Sequence, residues 1–128
     1  MDASSRMTSR QRIGLRAENA AAEYLQAQGA HILLRSYRCR CGELDIVARL
    51  GESEVAIVEV RTRSSPAYGG AAASVDAAKR RRLIRAASRL LQQRRDIARL
   101  RVRFDVIVVS DPCGDVPRIE WIKHAFSA

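Results

Sequence analysis

Residues 41–63 read CGELDIVARLGESEVAIVEVRTR, and the placement of the acids in this stretch decides the reading of the whole chain. The pattern is that of two β-strands joined by a short loop at Gly51, Glu52 and Ser53. Side chains two apart on a strand share a face. Glu43 and Asp45 therefore share one face of the first strand, with Leu44 and Ile46 on the other. In the second strand Glu59 and Arg61 share a face, and Val58 and Val60 take the opposite one. With that loop, Leu50 faces Glu54, Ala48 faces Ala56, Ile46 faces Val58, Leu44 faces Val60, Asp45 faces Glu59 and Glu43 faces Arg61. A slip by one residue mixes the two faces throughout and is disfavoured. Two carboxylates then meet across the hairpin, which costs free energy unless a cation or a proton compensates.

Moving outward, the second strand is rich in β-branched residues, and Val55 and Ile57 lie on the same side as Glu59. Both of its faces read as buried, as in a central strand. A helix is predicted before the hairpin, over 9–28, with Ile13, Ala17, Ala20, Ala21, Tyr24 and Leu25 as its apolar face, Ser9 as N-cap and Gly29 as stop. Glu18 borders that face. The bland reading is a solvated glutamate that pairs with a nearby arginine of the same helix, Arg12 or Arg16. A strand over 31–40 precedes the hairpin. After it come a loop over 64–73 with Tyr68 at its tip, covering the edge of the core, and a second helix over 74–96 capped by Ser74. That helix has Leu83, Ile84, Ala87, Leu90 and Leu91 as its apolar face. A strongly apolar strand over 101–110 follows, with Asp105 as a buried structural acid partnered by arginines of the second helix. An edge strand over 118–126 closes the chain. The element order is α-β-β-β-α-β-β. The long connection through the second helix permits parallel pairing of the strands on either side of it. The fold class is α/β: one domain over 9–128 with a mixed central β-sheet flanked by helices, behind a frayed N-terminus over 1–8.

Length and charge narrow the function. A chain of 128 residues suits one core. It has no stretch long and apolar enough to span a membrane and no secretory signal near its start, which gives the expectation of a cytoplasmic protein without a membrane partner. The formal net charge is +9, and of 23 basic residues only Lys79 and Lys123 are lysines. Arginine presents a planar fork that matches phosphate, so the balance favours a nucleic-acid partner. The basic residues concentrate on the second helix, at Lys79, Arg80, Arg81, Arg82, Arg85, Arg89, Arg94 and Arg95, with acids only near its two ends. Such a one-signed face favours binding a phosphate backbone over simple solvation. The three cysteines, Cys39, Cys41 and Cys113, read as free thiols, because the count is odd and no histidine stands at ligand spacing. His31 reads as a surface residue.

Asp45 and, fourteen positions on, Glu59-x-Arg61 suit a Mg²⁺ site, with the carbonyl of Val60 as a further ligand. An ion network of Glu43, Asp45, Arg61 and Arg63 without metal accounts for the spacing equally well.

The segments GELDIVA (42–48) and VEVRTR (58–63) resemble the signature of the YraN family, small bacterial proteins similar to archaeal Holliday-junction resolvases. The likeness extends over GLRAE (14–18), YGGAAASV (68–75), KRRRL (79–83), RFDV (103–106) and IEWIK (119–123). It implies a restriction-endonuclease-like PD-(D/E)XK core and a metal-dependent endonuclease-like protein that acts on or binds DNA, including branched DNA. It further implies Asp45 and Glu59 as metal-binding catalytic acids for Mg²⁺ or Mn²⁺, and Glu18 as an additional acid. Arg61 stands in the place of the superfamily's lysine. Lys79, Arg80, Arg81, Arg82, Arg85 and Arg63 are the residues expected to hold DNA. An inactive DNA-binding protein with the same fold is the alternative. Resolvases are often dimers, which adds a homodimer as an expectation.

Overall fold

The computed structural model describes residues 7–63 and 75–128. The expectations for the first six residues, for the loop over 64–73 with Tyr68, and for Ser74 lie outside them. Helix α1 (Ser9–Ala27) leads into strands β1 (His31–Cys39), β2 (Gly42–Leu50) and β3 (Glu54–Arg63). Helix α2 (Ala77–Gln93) and a single turn, α3 (Arg95–Ala98), precede β4 (Arg101–Ser110) and β5 (Arg118–Phe126). The five strands form one sheet in the order β1-β2-β3-β4-β5. Only β3 and β4 pair in parallel. The expected mixed sheet, the central place of β3 and the edge place of β5 all hold.

The two helices cover opposite faces. On one, Val55 and Ile57 of β3 and Val106 and Val108 of β4 pack with Leu83, Ala86, Ala87 and Leu90 of α2. On the other, Ala56, Val58, Ile107 and Val109 pack with Ala17, Ala21, Ala22 and Leu25 of α1. The small side chains of α1 let it lie close on the sheet. Ile13, assigned to the same face, is 39% exposed, because the first turns of α1 overhang the sheet beside the β4–β5 turn.

Local chemistry shifts the helix ends. Thr8, not Ser9, caps α1. Its side chain accepts from the Gln11 amide while Gln11 accepts from the Thr8 amide at 2.9 Å, a reciprocal pair that a serine one position later would not form with this glutamine. Gly29, at φ +93, ends α1 as expected. Asp76 caps α2 by accepting from the Lys79 amide at 2.8 Å. The helix does not run on to Asp96. It stops at Arg94, whose φ −121 and ψ 85 break the helical path, and whose guanidinium closes on Asp96 instead, at 2.9 Å.

The hairpin follows the expected register only at its loop end. Leu50–Glu54, Ala48–Ala56 and Ile46–Val58 are paired, and there the β2–β3 ladder stops. Strict alternation fails at Asp45. Leu44 packs on the α2 side with Val47, whereas Ile46 and Ala48 pack on the α1 side. The neighbouring β1 changes face at the same level. Arg35 pairs with Ile46 and Tyr37 with Leu44, and between them Ser36 takes φ 53, a left-handed conformation rare for a residue with a side chain. Leu44 therefore does not face Val60, which packs against the α1-side core.

Asp105 is buried as predicted, but its partners are not on α2. Arg103, two residues earlier on β4, donates to it at 2.9 and 3.2 Å. From β5, Trp121 Nε1 donates at 2.8 Å and the amide of His124 at 3.1 Å.

Candidate functional site

The break at Asp45 builds the site. Freed from the regular pleat, its carboxylate reaches toward β3, and Oδ2 accepts the backbone N–H of Val60 at 2.8 Å. A side chain thus satisfies an amide that a continued ladder would have given to a β2 carbonyl. Glu59 lies one residue earlier on β3. It follows Val55 and Ile57 on the α2 side and is only 6% exposed. Asp45 and Glu59 are not ladder partners, but their carboxyl groups come together at the end of the hairpin.

The electrostatics of the pair are unfavourable to two full charges. Burial pushes the Asp45 carboxyl up to about 7, and hydrogen bonding and negative charge from Glu59 push the same way. The Val60 amide and the positive charge of Lys79 pull it back. Lys79, in the first turn of α2, places Nζ 3.3 Å from Glu59 Oε2. The approach is within ion-pair reach but off the line of a hydrogen bond, and Oε2 is a buried polar atom that accepts none among the described residues. A buried carboxylate oxygen in this state needs positive charge beside it, and the Lys79 ammonium supplies that charge.

The remaining residues divide. Glu43 does not meet Arg61. It pairs with Arg38 across the β1–β2 hairpin at 3.2 Å, in solvent. Arg63 Nε donates to Ser110 Oγ on β4 at 3.2 Å. Arg61 is half-buried and lines a cleft of about 500 Å³ with Val75, Asp76, Ala77 and Arg80. Among the described residues Glu43 thus takes Arg38 and not Arg61 as its partner, which departs from the ion network expected from spacing alone. Glu18 does not pair with Arg12 or Arg16. It accepts from Arg35 Nε at 2.9 Å and from Ser36 Oγ at 3.4 Å. It thereby grips the part of β1 that changes face opposite Asp45, rather than joining the acidic pair directly. Among the described residues no group of three or more His, Cys, Asp or Glu gathers at metal-binding distance.

On α2, Arg81, Arg82, Arg85 and Arg89 point into solvent. Arg80 is tied down instead. Its Nε donates to the Val75 carbonyl at 2.7 Å, and its guanidinium lies over the Phe126 ring. The cysteines are free, with Cys39 and Cys41 half-buried and Cys113 exposed. No helix among the described residues is long and apolar enough to cross a membrane.

Fold and site together define a small α/β protein with an acidic pair, Glu59 buried and Asp45 half-buried, at the end of its central hairpin and a basic helix alongside. The chain belongs to the uncharacterised protein family UPF0102, whose model matches residues 17–109, and this is the family of the YraN resemblance. It is 48% identical over 115 residues to a UPF0102 protein of Alkalilimnicola ehrlichii, an alignment covering 90% of this chain and 86% of that protein. It is 42% identical over 121 residues to one from Pseudomonas savastanoi pv. phaseolicola, covering 94% and 98%. With one from Cupriavidus taiwanensis the identity is 41% over 126 residues, covering 98% and 90%.

The residue whose part the sequence leaves unread is Lys79, which its charge groups with the arginines expected to hold DNA. A signal is there: it is the lone lysine in a run of arginines, three residues after the aspartate that caps its helix.

Proposed function

We propose that this protein has a restriction-endonuclease-like core and acts on DNA as a divalent-metal-dependent nuclease. The observation that carries the reading is the pairing of half-buried Asp45 with buried Glu59, whose Oε2 accepts no hydrogen bond among the described residues. The donor set fits a hard cation, since Mg²⁺ and Mn²⁺ take carboxylate and carbonyl oxygen and keep water on their other positions. Asp45 and Glu59 would hold the ion, with the Val60 carbonyl as a further donor. When bound, such an ion polarises a phosphodiester and lowers the pKa of water.

The chain's own residues supply the rest. The Val60 amide fixes one oxygen of Asp45, and the other would be left for an ion. Arg61 stays protonated, so it orients phosphate and neutralises charge developing on it rather than taking a proton. Glu18 acts through β1, holding Arg35 and Ser36 and with them the level at which Asp45 leaves the pleat. The exposed arginines of α2 bind the backbone on either side of the scissile phosphate.

Incubating the purified protein with linear, single-stranded and four-way-junction DNA in Mg²⁺ or Mn²⁺ tests this. Cleavage should appear, and Asp45→Asn and Glu59→Gln should abolish it. Uncut DNA in every case would sink the catalytic reading. A second reading, a DNA-binding protein that keeps the fold without the chemistry, is favoured by Arg61, which cannot serve as a base. It predicts salt-dependent binding that needs no metal and is unchanged by Glu59→Gln.

A further inference from the structure

We propose that the ammonium group of Lys79 is the resident counter-ion of the acidic pair and competes with the divalent cation for Glu59, so that this side chain sets how tightly the site holds metal. The inference rests on the proposed metal site. It goes beyond that site in assigning a positioning role to a residue on the opposite wall of the cleft.

Three observations support it. Nζ stands 3.3 Å from Glu59 Oε2, the oxygen that accepts no hydrogen bond among the described residues. The start of the side chain is fixed, because the Lys79 amide donates to the Asp76 cap at 2.8 Å. And the ammonium has somewhere to go. A cleft of about 330 Å³ opens beside it, lined by Arg38, Gly42, Glu43 and Arg82 as well as Lys79. A lysine suits this role where an arginine would not. It is a compact point charge on a flexible stem, free to move without breaking a fixed fork of hydrogen bonds. With Asp45 and Glu59 both ionised, one ammonium still leaves the site net negative and attractive to a cation. A divalent ion on the same oxygen would repel the ammonium at a few ångströms, so one must yield to the other.

The experiment is a Mn²⁺ titration of the full chain, with free ion followed by electron paramagnetic resonance. It compares wild type, Lys79→Gln, Lys79→Met and Arg82→Gln, each checked for native secondary structure by circular dichroism. Removing a charge in contact with the ligand oxygen should tighten Mn²⁺ binding by on the order of ten-fold in both Lys79 variants. Arg82→Gln removes the same charge from the same cleft without touching Glu59, and should stay within about two-fold of wild type. If one Lys79 variant does not fold, the other supplies the measurement. Wild-type binding matched by both Lys79 variants overturns the competition and leaves the metal site standing, as does an equal gain in Arg82→Gln. Binding by none of the four proteins overturns both.

Discussion

Asp45 Oδ2 accepts the backbone N–H of Val60 at 2.8 Å, just beyond the point where the β2–β3 ladder ends at Ile46–Val58. One side chain in place of one main-chain carbonyl ends the hairpin, turns Leu44 to the other face and brings a second acid, Glu59, beside the first. The candidate site is this interruption.

Stability of the metal-free protein should depend on pH through Asp45. Its carboxyl is pushed up from 3.8 to about 7, so the folded state holds the proton more tightly than the unfolded chain does. That contribution is fully present below about pH 4 and is lost as pH rises through about 7, on the order of a few kcal/mol. Urea unfolding in a chelator should show wild type losing stability relative to Asp45→Asn between about pH 4 and pH 8. Parallel curves for the two proteins would refute the assignment, and Mn²⁺ added at the higher pH should recover the loss if the ion replaces the proton.

Two buried acids should respond oppositely to neutralisation. Glu59 is 6% exposed but has an oxygen with no hydrogen bond among the described residues and a second acid beside it. Without metal, Glu59→Gln should cost less than about 1 kcal/mol or raise stability at neutral pH. Asp105 is fully satisfied by Arg103, Trp121 and His124. Asp105→Ala leaves the Arg103 guanidinium with the longer Glu54 ion pair at 3.6 Å and strands two N–H donors, and should cost about 3–5 kcal/mol. Thermal and urea unfolding of both variants at pH 7 decide this, and equal losses would count against the pairings described.

Ser36 at φ 53 should tolerate glycine. Ser36→Gly relieves a left-handed side chain and should change stability by no more than about 1 kcal/mol, whereas Ser36→Val should cost about 1–3 kcal/mol. Since Ser36 stands level with Asp45, Ser36→Val should also weaken Mn²⁺ binding, read by the same titration. A valine variant as stable as wild type would show that β1 does not need the left-handed turn.

Arg81 and Arg85 are exposed on α2. Replacing both by Gln should leave thermal stability nearly unchanged. It should weaken DNA binding and lower the slope of log affinity against log salt by about 1 for each phosphate that is no longer neutralised. Fluorescence anisotropy over a salt series measures this. An unchanged slope would place the DNA elsewhere.

Much of the fold is legible in the sequence because it rests on local signals. β-branched runs mark β3 and β4, helical spacing marks α1 and α2, and the short loop at Gly51 fixes the register at that end of the hairpin. The Thr8 cap is also legible, through Gln11 three residues on, but Ser9 offers a competing cap. The errors in the site share one cause. Alternation carried through Asp45 places Glu43 opposite Arg61 and Leu44 opposite Val60. The break depends on Ser36 turning left-handed in the neighbouring strand, held by Glu18 from α1, and none of these contacts is local in sequence.

The sequence by itself determined the element order, the central place of β3, the acids Asp45 and Glu59 as the pair to watch, and the concentration of positive charge on α2. These follow from side-chain period, propensity and charge, which act over a few residues. Only the tertiary structure decided that Asp45 leaves the ladder for the Val60 amide, that Glu18 holds β1, that Asp105 is satisfied from β4 and β5, and that Lys79 pairs with Glu59. Those outcomes depend on which groups burial brings within a few ångströms, where a buried charge takes the nearest partner that desolvation leaves it.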